Sequence, residues 1–253
     1  MVFEQLSPKM QKVIKKRFKQ ATLPQQLAIP YIASGLNVLV IAPTGSGKTE
    51  SALLKIFERI VEERPKQINT LYITPMKSLN RDMLERILWW SKELELEVAV
   101  RHGDTPPRER QAQVAFPPDI MITTLEQLQP MLSGKNVREL LRNVKHVILD
   151  EVHEVVDSKR GVQLSVALER IKELCGDFQL IMLSATVSNP EHVAEFFSGG
   201  KLTKIVQADT DKKFEIAVIS PKPTAEDDKI SQKIFSSKDT AARVRTIMEL
   251  IKS

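Results

Sequence analysis

An α/β fold, with a mostly parallel sheet and helices on both faces, is expected for this 253-residue chain. Short apolar runs (Val38–Ile41, Thr70–Thr74, Lys145–Leu149, Gln179–Leu183) alternate with helical patterns along most of its length. That alternation marks a parallel sheet covered on both sides. The distinctive polar segments each follow such a run, and ligand sites in these sheets collect at the carboxyl ends of strands. The clearest of them is Val38–Thr49, VLVIAPTGSGKT, a strand entering a glycine-bearing turn with Lys-Thr at the head of a helix.

Composition sets outer bounds. A 42% hydrophobic content with 27% charged residues suits a globular domain, or one domain and part of a second. No apolar run approaches the roughly 20 residues of a membrane span, so no membrane partner is expected. Met1-Val2-Phe3-Glu4 lacks the basic start and apolar core of a signal peptide. The single cysteine, Cys175, cannot form an internal disulfide, and a cytoplasmic setting is expected. A net charge of +5 permits an anionic partner without requiring one.

The elements follow in order. Ser7–Lys19 reads as an amphipathic helix, with Met10, Val13, Ile14 and Phe18 on one face and Lys12, Lys15, Lys16 and Lys19 on the other; the basic stripe is either a solvated face or a phosphate contact. Gln25, in TLPQQ, has two readings. Its amide matches the adenine edge, or it belongs to a turn opening a helix with Pro24 at the first position. A helix over Lys48–Glu63 leads to strand Thr70–Thr74, and a second helix runs from TPMKSL to about Glu93. Strands at Glu97–Val100 and Asp119–Ile122 flank a charged helix broken off by Pro106-Pro107 and Pro117-Pro118. Trp89-Trp90 reads as core packing rather than base stacking. Strand Lys145–Leu149, a helix over Val162–Leu174, strand Gln179–Leu183 and a helix from Asn189 to Phe197 complete the pattern. Two further strands are expected at Lys204–Val206 and Phe214–Ile219. A polar linker, Ser220–Asp228, then precedes terminal helices.

The chemistry rests on two segments. In Ala42–Thr49 the turn wraps a phosphate with its own N–H groups, which requires close backbone approach at Thr44, Gly45, Ser46 and Gly47. Lys48 is placed for the β- and γ-phosphates of a nucleoside triphosphate and the Thr49 hydroxyl for Mg²⁺. Asp150-Glu151, after a buried strand, suits a carboxylate (Asp150) holding Mg²⁺ and a second (Glu151) orienting the attacking water. Ser184-Ala185-Thr186 is either a simple turn or a hydroxyl pair able to bond His153 or Asp150. His102, His146, His153 and His192 show no zinc-protease spacing, and one cysteine makes no zinc knuckle.

Taken in order, Gln25, APTGSGKT, TPMKSL, TTLE, DEVH and SAT make the chain resemble a superfamily 2 DExH helicase. RHGDTP, TTLEQL, DEVH and SATVSNPEHVAEF are similar in wording and spacing to the large helicase-related (Lhr) group. The resemblance implies a first RecA-like domain over residues 1–207 and, over 208–253, a lead-in to a second RecA-like domain. It implies an adenine-reading role for Gln25, and coupling roles for His153, Ser184 and Thr186. Pro75, Lys77, Ser78, Thr123, Thr124 and Glu126 would face single-stranded or partly duplex DNA or RNA. Helicases of this class draw arginine fingers from a QxxGRxGR segment. After Thr186 the only arginines here are Arg243 and Arg245, outside any such segment. The chain is therefore expected to be the ATP-binding half of a motor, weakly active alone; the alternatives are an ATP-gated clamp and a translocase that does not unwind.

Overall fold

The computed structural model describes residues 2–65, 67–75, 81–208 and 218–252. Contacts divide the chain into two units, Met1–Thr210 and Asp211–Ser253.

The first unit is a seven-stranded sheet in the order β3-β4-β2-β5-β6-β1-β7, and every pairing in it is parallel. The strands are β1 (Asn37–Ile41), β2 (Thr70–Thr74), β3 (Val98–Arg101), β4 (Ile120–Thr124), β5 (His146–Leu149), β6 (Gln179–Ser184) and β7 (Thr203–Gln207). β1, β2, β4, β5 and β6 are buried along their whole length. That is why they read as unbroken apolar runs rather than alternating ones.

Nine α-helices among the described residues of this unit cover the sheet. They are α1 (Pro8–Ile14), α2 (Leu23–Ala33), α3 (Lys48–Glu63), α4 (Arg81–Leu94), α5 (Pro107–Ala115), α6 (Leu125–Ser133), α7 (Lys135–Leu140), α8 (Lys159–Cys175) and α9 (Pro190–Ser198). On one face Met10, Ile14, Ile29, Phe57 and Trp90 pack against Val38, Val40 and Tyr72. On the other, Leu128, Leu141, Leu168 and Phe197 pack against Leu39, Leu71, Val147 and Met182. Fully burying one such aliphatic or phenyl side chain contributes roughly 1.5–3 kcal/mol, so the two layers hold the sheet from both sides.

α1 ends at Ile14, short of the expected Lys19, and a turn carries Lys15–Arg17. The TT of TTLE belongs to β4 itself, with α6 starting at once at Leu125. Trp90 is core at 1% exposure. Trp89 is half-buried, with the Arg17 guanidinium 5.2 Å from its ring centre. β7 lies where a strand over Lys204–Val206 was expected, whereas most of the Phe214–Ile219 run falls outside the described residues.

The second unit contains α10 (Asp227–Ile234) and α11 (Lys238–Lys252), tied by Arg245 to Asp227 at 2.9 Å. No described helix is long and apolar enough to cross a membrane.

Candidate functional site

The turn after β1 owes its shape to two glycines. Gly45 and Gly47 have φ of +73° and +87°, the left-handed region where a side chain is strained. Gly47 is also hemmed in: a Cβ there would lie 2.7 Å from Gln25 Nε2 and 2.9 Å from Thr22 Oγ1. Gly47 caps α3 without any side-chain hydrogen bond to the helix. The first N–H groups of α3 therefore remain available, and with the helix dipole they form a place for an anion. Ser46 closes the turn from within, its hydroxyl donating to the Pro43 carbonyl at 2.6 Å.

Around this turn lies a cleft of about 980 Å³, lined by Thr44, Gly45, Lys48, Thr49, Asp150 and Glu151 among others. Lys48 is 6% exposed, and its Nζ lies 3.4 Å from both carboxylate oxygens of Glu151. Glu151 takes a left-handed φ of +48°, an uncommon conformation for a non-glycine residue. Strain of that kind costs roughly 1–3 kcal/mol and persists only where the surroundings enforce it.

Asp150, one residue earlier, is buried. It accepts from the Tyr72 hydroxyl and, at 3.0 Å, from the Glu151 N–H. Burial raises the Asp150 carboxyl above its ordinary range, while the Tyr72 hydrogen bond and the Lys48 charge oppose the rise. Burial and the Asp150 charge push Tyr72 well above the usual phenol value, so it stays a neutral donor.

His153 and Ser184 meet. Nδ1 of His153 is 3.1 Å from Ser184 Oγ and 3.3 Å from Glu151 Oε2. Ser184 donates its hydroxyl proton to the Thr186 carbonyl at 3.1 Å. With that one proton spent, the His153–Ser184 bond requires His153 to carry its proton on Nδ1. The Ala42 N–H also donates to the Ser184 carbonyl at 3.0 Å. Lys48, Glu151, His153 and Ser184 thus form one continuous run of contacts back to the phosphate-binding turn. Thr186 enters through its backbone only, its side chain being exposed.

Gln25 sits where its helix-opening reading places it, in the first turn of α2 behind Pro24. Its Oε1 accepts from the Thr22 N–H at 3.0 Å, tying down the start of α2, and its Nε2 reaches the Gly47 carbonyl at 3.5 Å. It is fully buried behind the turn.

The segments expected to face nucleic acid are spread along the same edge of the sheet. Pro75 follows β2, whereas Lys77 and Ser78 lie outside the described residues. Thr123 is buried and gives its hydroxyl to the Arg101 carbonyl at 2.9 Å. Thr124 is buried, and its hydroxyl has no hydrogen-bond partner among the described residues. Glu126 is exposed and pairs with Arg160 at 2.7 Å.

Two cleft residues escaped the sequence reading. Tyr72 is hidden inside an ordinary apolar strand, and only the pairing of β2 with β5 brings it to Asp150. Arg86, on α4, reaches within 3.5 Å of Thr49 Oγ1 and 3.8 Å of Glu50; no motif marks it.

Among the described residues no three His, Cys, Asp or Glu gather to hold a metal. Thr49 and the buried carboxylate of Asp150 nonetheless suit Mg²⁺, which takes one or two protein oxygens and completes its shell with phosphates and water.

Known proteins are similar to this chain in sequence and fold. The chain is 39% identical over 236 residues to the ATP-dependent helicase Lhr-Core of Sulfolobus acidocaldarius, covering 87% of this chain and 27% of that protein. It is 41% identical over 222 residues to the Lhr helicase/probable uracil glycosylase of Mycolicibacterium smegmatis, covering 81% of this chain and 15% of the relative. The solved structure of Mycobacterium smegmatis helicase Lhr bound to ssDNA and AMP-PNP superposes with a TM-score of 0.81 at 39% identity, over 88% of this chain and 30% of that one. The chain thus spans about a quarter or less of the length of these curated relatives. The family model described as DEAD/DEAH box helicase matches residues 22–193, well over half of the sequence, and the chain belongs to that family.

Proposed function

We propose that this chain is the ATP-binding half of a nucleic-acid motor, coupling ATP hydrolysis to movement along single-stranded DNA or RNA and to strand separation. The observation that carries the proposal is the run of contacts from Lys48 through Glu151 and His153 to Ser184. It joins the residue that meets phosphate to the end of β6, so a change at the nucleotide is felt across the sheet edge.

In this reading the free N–H groups of the 42–49 turn receive the phosphates, and Lys48 exchanges Glu151 for the terminal phosphate. Glu151, released, orients and polarises the attacking water. Thr49 and Asp150 would hold Mg²⁺, which would neutralise charge on the phosphate oxygens. Tyr72 keeps the Asp150 carboxylate pointed into the cleft. Gln25 reads the adenine edge once its amide turns from Thr22 and Gly47 towards the nucleotide. Pro75 and the 123–126 segment meet the sugar-phosphate backbone, and the same role is proposed for Lys77 and Ser78. Because Thr123 and Thr124 are buried, contacts from this segment are made by its backbone and by Glu126. Such contacts grip without reading sequence. The second RecA-like domain and an intracellular setting belong to the same reading.

An arginine finger is worth about 10³–10⁵ in rate in related phosphoryl-transfer systems. The chain alone is therefore expected to bind ATP·Mg²⁺ and turn it over slowly. The test is the ATPase rate with and without single-stranded DNA or RNA, beside Lys48→Ala. Slow turnover with intact binding, lost in the variant, supports half of a motor. Rapid, nucleic-acid-stimulated turnover by this chain would contradict the half-motor reading. Binding that never leads to hydrolysis, even when a second RecA-like domain is supplied, would leave the ATP-gated clamp instead.

A further inference from the structure

Beside the edge strand β3, away from the nucleotide cleft, lies an open groove of about 450 Å³ between α5 and the start of α7. Its lining includes Arg101, Arg110, Lys135, Val114, Ala115 and Val137. By the two-residue alternation of a strand, Arg101, which ends β3, shares the face of Ala99, which packs in the same apolar layer as Val114 and Val137. That alternation carries a guanidinium to a place where an aliphatic side chain would be unremarkable. Arg101 is 9% exposed, and its Nε is buried without a hydrogen-bond partner. Among the described residues it makes one hydrogen bond, to Gln113 Oε1, 3.4 Å long. Arg110 gives its N–H groups to the carbonyls of His102, Gly103 and Thr105 and to Gln127. Among the described residues no carboxylate comes within ion-pair distance of Arg101, Arg110 or Lys135.

A buried guanidinium without an anion is costly, and its planar fork is shaped for an oxyanion. We propose that this groove binds an acidic peptide segment of a partner protein, a glutamate or aspartate carboxylate seating on Arg101 and its apolar neighbours lying against Val114, Ala115 and Val137. Burial and the neighbouring Arg110 charge both lower the Arg101 pKa, the electrostatic sign of a site awaiting negative charge. Charge complementarity selects an anion, and the walls select what carries it. A sugar-phosphate strand offers little apolar surface, and no aromatic residue lines the groove for a base to stack on. A peptide offers both charge and apolar surface.

The test is fluorescence anisotropy with the 253-residue chain and a labelled peptide of sequence ALELEL, its ALQLQL counterpart and labelled oligo-dT. ALELEL is expected to bind at least tenfold more tightly than ALQLQL. Arg101→Met is expected to weaken it at least tenfold, and the exposed Lys135→Glu several-fold. Oligo-dT affinity is expected to be unchanged in both variants. Lys135→Glu keeps the test decisive if Arg101→Met fails to fold, which a thermal melt would reveal. Equal binding of the two peptides, or indifference of ALELEL to Lys135→Glu, overturns the proposal. So does a loss of oligo-dT affinity in the variants without peptide binding, which would make the groove part of a nucleic-acid track.

Discussion

Glu151 is held at φ +48° while its carboxylate touches both Lys48 and His153. One side chain therefore serves two partners, and substitutions separate its roles. Glu151→Gln keeps the shape and removes the charge. It is expected to retain ATP binding and lower turnover by roughly 10²–10⁴, the range for a lost acid–base group; nucleotide titration and a phosphate-release assay measure the two separately. Lys48→Ala is expected to act on binding instead. Losing a hydrogen bond to a charged group costs about 1.5–3 kcal/mol, or about 10–150-fold in affinity for a fluorescent ATP analogue. At this scale the motif residues were legible because their chemistry fixes both residue type and spacing. Tyr72 and Arg86 were not, because each reaches the cleft across the fold, from β2 and from α4. Neither side chain is distinctive in its own segment.

At the scale of elements, β5 places His146 next to Arg59 and Gln179. Burial first, then the Arg59 charge, lowers the imidazole pKa from 6.5 to about 4. The folded chain thus takes up the proton less readily than the unfolded one. Stability is full above pH 6.5 and falls as pH drops towards 4, by about 3 kcal/mol for a difference of 2.5 pKa units at 1.36 kcal/mol each. Denaturant titrations at pH 7 and pH 4.5 should show that loss, and His146→Gln should reduce it. A second device sits at the head of α8. A Cβ on Gly161 would come 2.2 Å from the Val155 carbonyl oxygen and 2.6 Å from that of Val156. Gly161→Ala is therefore expected to push α8 off the turn that follows DEVH, lowering stability by about 1–3 kcal/mol in a thermal melt. Strands were the most legible elements, since a fully buried strand must be apolar throughout. α1 ends before its periodicity does, because Phe18 packs on Trp90 from the irregular stretch after the 15–17 turn rather than from the helix.

For the whole molecule, the sheet order decides what a truncation does. β7 pairs along the full length of β1, the strand that carries the phosphate-binding turn. A chain ending at residue 208 is expected to keep its affinity for a fluorescent ATP analogue within about twofold. One ending at residue 202 strips β7 away and is expected to lose most of it. Parallel pairing and the two-sided apolar layers could be anticipated from the alternation of runs, whereas the strand order, a non-local property, could not.

That order has a further meaning for how such a chain diversifies. β1, β6 and β5 end at the nucleotide cleft, whereas β2 and β4 end at the segments proposed to meet nucleic acid. From β1 to β4 is four strand steps, about 19 Å at a spacing near 4.8 Å. In the proposed motor, substitutions that retune which polymer is held would fall at the β2 and β4 ends, and those that retune hydrolysis at the β1, β6 and β5 ends. A lineage of such motors would then have separate places to alter cargo and engine, joined by the run of contacts between them.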